Sequence, residues 1–262
     1  MEEGLVLPTL VIRPGKELVI FKIGIEKDRL GLLAQVSSEF TNRGMRIYST
    51  VAQVSPEGKE VIFISSEAKG SDVLEELRIS LESIEGVGRV EIETSSTKGL
   101  LIPSLFFPLT RAGRRIVLMV DVALKSLIEE LARIMGRDPA DAVIFRVGYE
   151  LGMGFGRSHL AIGERVGLRD PLEIIKHISA PLFISSGYGL MRIEELPERT
   201  LRIVVEEGIE ASLRGVSERP SCFFTKGMCK GALEAIFGEK ISIEEVNCRT
   251  IGHDFCEFIV NY

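Results

Sequence analysis

Leu18 to Ile25 reads LVIFKIGI, and Leu30 to Arg43 follows as LGLLAQVSSEFTNR. The first stretch is an almost continuous apolar run, which is typical of a buried strand. The second repeats apolar residues at helical intervals, and Gly44 after it is a common helix terminator. This pattern predicts a strand followed by an amphipathic helix whose inward face carries Leu32, Leu33, Val36 and Phe40.

The residues that follow extend this pattern into a small domain over residues 17–95. Further strands are predicted at Arg46–Val54, Val61–Ser65 and Val87–Glu93, with a turn at Pro56–Lys59 and a helix that Ser71 caps and that runs to about Ser83. The order strand, helix, strand, strand, helix, strand is that of the ferredoxin-like βαββαβ fold.

The remaining chain divides on composition into an N-terminal extension, 1–16, an irregular linker, 96–114, and a second domain, 115–262. Two prolines and a glycine (Pro103, Pro108 and Gly113) interrupt the linker. In the second domain we predict helices at Val122–Met135, from about Pro139 toward Gly152, and at Ser221–Phe237, and strands at Leu201–Val205, Ile241–Val246 and Phe255–Val260. The chain is therefore expected to be α+β, with a mixed α/β second domain that ends in a helix and a hairpin.

Charge and hydropathy limit the classes of function. Net charge is −6, so no basic surface for nucleic acid is expected, and the run Arg111, Arg114, Arg115 is interpreted as the end of the linker. The longest apolar stretch, Ile116 to Leu124, contains Asp121 and is too short to span a bilayer. The acidic start differs from a signal peptide, and we expect a cytoplasmic protein without membrane contact and without disulfides.

The segment Glu26-Lys27-Asp28-Arg29-Leu30-Gly31-Leu32-Leu33 joins the first strand to the first helix. Free amides at a helix start bind carboxylates, Gly31 permits close approach of backbone, and Asp28 can cap the helix or bind an amine. This segment and the strand order resemble the ACT domain family. The resemblance implies a homodimer and an amino acid bound at Asp28, Arg29, Leu30, Gly31 and Leu32. The alternative is that the segment only caps the helix and the domain only dimerises.

All four cysteines, Cys222, Cys229, Cys248 and Cys256, lie in the last 41 residues. Glu245 precedes Cys248 by three residues, so one metal ion joining the last helix to the hairpin is a reasonable hypothesis, and thiolate ligands favour zinc. Cys229 or His253 in place of Glu245, buried free cysteines and a redox pair remain open alternatives.

The cysteine spacing resembles the vinyl-4-reductase-type domain, also known as the 4-vinyl reductase domain. Gly148-Tyr149-Glu150-x-Gly152, Gly227, Gly231 and Gly252 add to the likeness. The resemblance implies a structural zinc held by Cys222, Glu245, Cys248 and Cys256. It also implies an apolar, hydrocarbon-type or aromatic ligand in the second domain, for which the candidate lining residues are Phe145, Tyr149, Phe155, His177, Phe183, Tyr188 and Phe223.

Two resemblances to ligand-binding modules favour a small-molecule sensor or regulatory protein over a catalyst. The sequence has no nucleotide fingerprint, Gly-x-Ser-x-Gly or HExxH motif, and no Lys-Ser/Thr follows Gly152, Gly154 and Gly156 as a phosphate loop requires. Four protein ligands on a metal also leave no position for a substrate. The alternatives are a reductase that acts on a tetrapyrrole vinyl group, and a non-catalytic assembly module.

Overall fold

The computed structural model describes residues 5–54 and 60–262 and divides the chain into two compact units, residues 1–117 and 118–262. Both units combine helices with antiparallel sheets, which confirms the α+β class. The turn predicted at Pro56–Lys59 lies outside the described residues. Over the described part of the chain, no helix combines the length and the hydropathy that a membrane span requires.

The first unit is built around a sheet of four strands covered by two helices. Its elements in chain order are β1 (Val11–Ile12), β2 (Leu18–Ile25), α1 (Leu32–Asn42), β3 (Ile47–Val54), β4 (Glu60–Glu67), α2 (Ser71–Glu82), β5 (Val87–Thr94) and β6 (Leu100–Leu101). The main sheet has the order β3-β4-β2-β5 and is antiparallel throughout. From β2 to β5 the connectivity is therefore the predicted βαββαβ.

One face of this sheet packs against α1 and α2. The rings of Phe21 on β2 and Phe40 on α1 meet edge to face, with their centroids 4.9 Å apart, and Leu77 and Leu81 of α2 are buried beside them. The 3.6-residue period of each helix brings these side chains to one face, as the sequence pattern predicts. Ser71 is the first residue of α2 rather than its cap, because Gly70 occupies that position and no side chain caps the helix.

The opposite face of the sheet is covered by segments that we had interpreted as an extension and a linker. β1 pairs with β6, Val11 opposite Leu101, and Leu101 is 1% exposed. The Phe106 ring lies 5.0 Å from that of Phe63 on β4. Residues 1–16 and 96–114 therefore contribute ordered structure to the first unit, because Leu18 and Ile20 make this face of β2 apolar too.

A short hairpin follows in the first unit, formed by β7 (Thr110–Arg111) and β8 (Arg114–Arg115). It contains the arginines of the basic run. The Arg115 guanidinium lies 4.7 Å from the centroid of the Phe107 ring. The run is thus part of a hairpin with its own aromatic contact, and not a structureless end of a linker.

The second unit packs helices on a four-stranded antiparallel sheet of order β11-β12-β10-β9. Its elements are α3 (Asp121–Met135), α4 (Arg137–Val166), α5 (Pro171–Ile174), a π-helical turn (Ile175–Ser179), α6 (Ala180–Ser185), β9 (Leu190–Leu196), β10 (Thr200–Glu206), α7 (Ile209–Arg214), α8 (Phe223–Phe237), β11 (Ser242–Asn247), a 3₁₀ turn (Arg249–Ile251) and β12 (Cys256–Asn261). The unit ends in a helix and a hairpin, as predicted.

Helix α4 continues 14 residues beyond the predicted end at Gly152, to Val166, because its glycines face α8. A Cβ at Gly148 or Gly156 would lie 2.3 or 2.5 Å from a carbonyl oxygen of α8, and a Cβ at Gly231 would lie 2.0 Å from the carbonyl oxygen of Tyr149 on α4. Each glycine weakens an isolated helix by about 1 kcal/mol relative to alanine. Here the glycines let two helix backbones touch, which fixes α8 and the residue before it.

Candidate metal centre and ligand-binding regions

Three elements of the second unit carry the candidate metal ligands. Cys222 is the N-cap residue of α8, Glu245 lies in β11, and Cys248 follows the end of that strand. Cys256 is the first residue of β12. A β-bulge between Glu245 and Asn247 shifts the register of the hairpin, and such bulges redirect side chains. The helix start and the end of the hairpin thereby meet at one point.

The three sulfurs form a compact triangle. Cys222 Sγ lies 3.6 Å from Cys248 Sγ and 3.5 Å from Cys256 Sγ, and the third side measures 3.9 Å. Tetrahedral zinc with Zn–S bonds of about 2.3 Å requires sulfurs about 3.8 Å apart. With one Glu245 oxygen included, all four ligand atoms lie within 4.8 Å of one another. The spacing therefore suits four-coordinate binding of one ion.

The Glu245 carboxylate has one oxygen bound and one left over. Its Oε2 accepts a hydrogen bond of 3.1 Å from the Cys222 backbone amide, whereas buried Oε1 has no partner among the residues that the structure describes. A buried acceptor without a partner costs about 1–3 kcal/mol. Burial raises the pKa of Glu245 to about 8. A cation at this position would remove both penalties.

Protons are shared unequally within the triangle. Hydrogen bonds from Cys222 and Cys256 lower the pKa of Cys248, and the same contact with Cys248 is the main cause that raises the pKa of Cys222. Without a cation, neighbouring thiols so close together do not all ionise, because the negative charges repel. A divalent ion reverses that preference and binds the thiolates. The donor set thus fits a metal ion with a preference for sulfur.

The two alternative ligands lie elsewhere. Cys229 is buried among apolar residues of the core, and burial raises the pKa of its thiol to about 12. His253 is exposed in the loop before β12. Among the described residues, the group with ligand atoms close enough to share an ion consists of Cys222, Glu245, Cys248 and Cys256.

Sequence reasoning missed the group that anchors the start of α8. Glu210 of α7 is 1% exposed, and its carboxylate accepts hydrogen bonds from the backbone amides of Phe224 (3.0 Å) and Thr225 (2.8 Å). Its charge is balanced by Arg214, which also bonds Asp141 at 2.8 Å. Glu210 therefore caps α8 from another helix and holds the segment that carries Cys222. No local motif announces a cap supplied from a separate helix earlier in the chain.

The predicted amino-acid-binding segment of the first unit forms a tight turn before α1. Leu30 is fully exposed, Leu32 is buried in the core, and Gly31 occupies the N-cap position with a φ of 85°. Arg29 donates a hydrogen bond to the carbonyl oxygen of Glu85 at 3.1 Å. Asp28 is exposed, and no side chain caps the helix. Close backbone approach occurs instead at Gly86, where a Cβ would lie 2.3 Å from the carbonyl oxygen of Lys27.

The seven residues predicted to line a pocket occupy several places in the second unit. Phe183 and Tyr188 pack together in the core, with ring centroids 5.3 Å apart. Phe155 stacks on His159, and the Tyr149 hydroxyl donates to Glu234 at 2.6 Å. His177 is exposed on the surface beside Glu173.

The two remaining residues share a site. Phe145 on α4 and Phe223 on α8 line a cleft of about 670 Å³ between those helices and β11. The structure therefore brings two of the seven aromatic candidates into one cavity.

Comparison with known proteins places these features in a family context. A model of the vinyl-4-reductase domain matches residues 201–261, from β10 to the end of β12, and this match contains all four candidate ligands. Over 73 residues the chain is 34% identical to the uncharacterized protein MJ1642 of Methanocaldococcus jannaschii. That alignment covers 28% of this chain and 45% of the relative, so the chain spans less than half of the relative's length.

Solved structures with a similar fold include the phenol-responsive sensory domain of the transcription activator PoxR, determined with phenol. It aligns with 56% of this chain and 77% of its own at a TM-score of 0.51 and 19% identity, which is a likeness of fold. The ACT domain of GTP pyrophosphokinase from Chlorobium tepidum aligns with 30% of this chain and 99% of its own, at a TM-score of 0.26 and 23% identity. The ferredoxin-like fold of the first unit is established by its own strand order.

Proposed function

We propose that this protein is a small-molecule sensor without catalytic activity, whose second unit binds an apolar or aromatic ligand and whose first unit is an ACT-like regulatory domain. The single observation that carries the proposal is the convergence of three thiols and one buried carboxylate at the junction of α8 and the last hairpin. The vinyl-4-reductase domain match over the same residues and the likeness in fold to a phenol-responsive domain support it.

The metal in this proposal is a structural zinc ion held by Cys222, Glu245, Cys248 and Cys256. Zinc bound by thiolates and one carboxylate would staple α8 to the hairpin and stabilise a unit whose sheet is small. Four protein ligands fill a tetrahedral shell, so the role is structural and leaves no position at which a substrate binds. The orphaned Oε1 of Glu245 provides the oxygen that such a shell needs.

The first unit adds the regulatory part of the proposal. ACT-like sheets dimerise, and the turn from Asp28 to Leu32 would bind an amino acid through the free amides at the start of α1. Arg29 already links this turn to the Glu85 carbonyl group, so a bound carboxylate there would reinforce an existing contact. Binding would then bias the assembly of two chains.

Native mass spectrometry of the purified full-length chain tests stoichiometry and metal together, and a thermal-shift screen with phenol, toluene and the amino acids tests ligand binding. We expect a dimer with about one zinc ion per chain and at least one compound that raises the melting temperature by binding the folded state. A metal-free protein that no compound stabilises would contradict the proposal. Turnover of a vinyl tetrapyrrole with a nicotinamide would replace the sensor with a reductase.

A further inference from the structure

The cleft between α4, α8 and β11 combines an apolar floor with cationic walls. Ala142, Phe145, Phe223, Ile241 and Ile243 supply the apolar surface, and its volume of about 670 Å³ is suitable for a small molecule. The charged residues at its edge are Asp138, Asp141, Arg219, Lys226 and Lys230. Ligand sites commonly have this composition, with a few polar groups that set orientation.

Among the described residues, internal ion pairs account for all but one of these charges. Arg219 binds both Asp138 and Asp141, and Asp141 also binds Arg214 at 2.8 Å. Lys230 lies 2.7 Å from Glu234. Lys226 pairs with no carboxylate in the part of the chain that the structure describes, although its side chain is half-buried at the cleft. Its ammonium is the group that an anionic ligand would neutralise.

The geometry points to a small amphipathic anion as the ligand of this cleft: an aromatic ring on Phe145 and Phe223, with a carboxylate on Lys226. This inference rests on the proposed function, since it takes the second unit as the ligand-binding one, and it names the ligand class. Guanidinium groups of Arg214 and Arg219 lie 5.6 and 6.0 Å from the Phe223 ring, so the aromatic floor itself sits in a positive field.

The position of the cleft connects ligand binding to the metal centre. Phe223 follows Cys222 directly, and Ile243 precedes Glu245 by two residues, on the same face of β11. A ligand that contacts both Phe223 and Ile243 therefore bridges the two elements that the metal would join. Its binding energy would favour the same packing of α8 against the hairpin.

Isothermal titration calorimetry on the full-length, zinc-loaded chain tests this inference with phenylacetate, its neutral isostere phenylacetamide, and phenol. We expect phenylacetate to bind and phenylacetamide to bind about tenfold more weakly, because one charge-assisted hydrogen bond is lost. Lys226→Gln should weaken phenylacetate about tenfold. Ala142→Trp, which fills the cleft from an exposed position, should abolish binding. Lys125→Gln, on α3 and outside the cleft, is the matched control and should bind like the original protein.

Several outcomes would overturn the inference. Phenylacetate that does not bind, or that binds both cleft variants as well as the control, removes the cleft as its site. Equal affinity for phenylacetamide removes the anion. Phenol that binds irrespective of both substitutions, with no response to phenylacetate, overturns the cleft while the sensor proposal stands. No binding of any of these compounds, or of those in the thermal screen, would end both.

Discussion

Gly152 on α4 lies so close to Met228 on α8 that a Cβ at residue 152 would be 2.1 Å from the Met228 carbonyl oxygen. No side chain fits into that space, and the atom in the way belongs to the backbone. The two helices can therefore keep this distance only while residue 152 is glycine. Two residues further along α4, Gly154 faces open space.

The first prediction uses this pair of glycines. Gly152→Ala should destabilise the second unit by about 3 kcal/mol, because α4 and α8 must separate. Gly154→Ala should leave its stability unchanged or raise it by up to about 1 kcal/mol through helix propensity. Urea unfolding followed by circular dichroism measures both. Equal effects of the two substitutions would show that α4 and α8 are not in backbone contact.

A second prediction concerns the metal ligands. Cys248→Ser should release the metal and lower the melting temperature, whereas Cys229→Ser, also at a buried cysteine, should keep about one zinc ion per chain. Because the thiols must lose protons to bind, the stabilisation that zinc adds should increase from about pH 6 to about pH 8. Elemental analysis and thermal unfolding with and without a chelator are the measurements. Retention of metal and melting temperature by Cys248→Ser would refute the ligand assignment.

The third prediction tests the cap that Glu210 supplies to α8. Glu210→Gln removes the charge that balances Arg214 and weakens the two bonds to the Phe224 and Thr225 amides. Loss of one partner from a buried ion pair should cost about 3 kcal/mol. Glu207→Gln is the control, since Glu207 is largely exposed and its ion pair with Arg249 should contribute less than about 1 kcal/mol. Similar stability of the two variants in urea would argue against the cap.

The fourth prediction separates a packed segment from a linker. Leu101→Ala should destabilise the first unit by about 3 kcal/mol, because Leu101 is buried against the sheet. The next residue, Ile102, is 64% exposed, and Ile102→Ala should change stability by less than about 0.5 kcal/mol. Urea unfolding of the full chain measures both variants. If Leu101→Ala were also neutral, the segment would be a linker after all.

The sequence pattern predicted the elements with strong internal periodicity and missed those without it. β9 is an edge strand whose exposed residues include Arg192, Glu194 and Glu195, so it lacks the alternation that marks a half-buried strand. Its turn places Glu198 and Arg199 at positive φ, where glycine or asparagine would have signalled a hairpin. The helical segment 171–185 contains a π-helical turn, which disturbs the 3.6-residue period.

The candidate metal centre was predicted better than the pocket for a physical reason. Cysteine is rare and has few structural uses outside a metal site or a core, so the grouping of Cys222, Cys248 and Cys256 stands out in one dimension. Aromatic residues serve cores and pockets alike. Phe183 and Tyr188 therefore could not be distinguished from Phe145 and Phe223 until their neighbours were visible.

By itself, the amino-acid sequence determined the βαββαβ order of the first unit and the set of residues able to bind a metal, because both depend on residue type and local period. The tertiary structure alone decided that residues 96–114 complete the first unit, that the α4 glycines face α8, and that Glu245 keeps one buried oxygen without a partner among the described residues. Those features arise from contacts between segments far apart in the chain, and no local period encodes which distant surface a residue will meet.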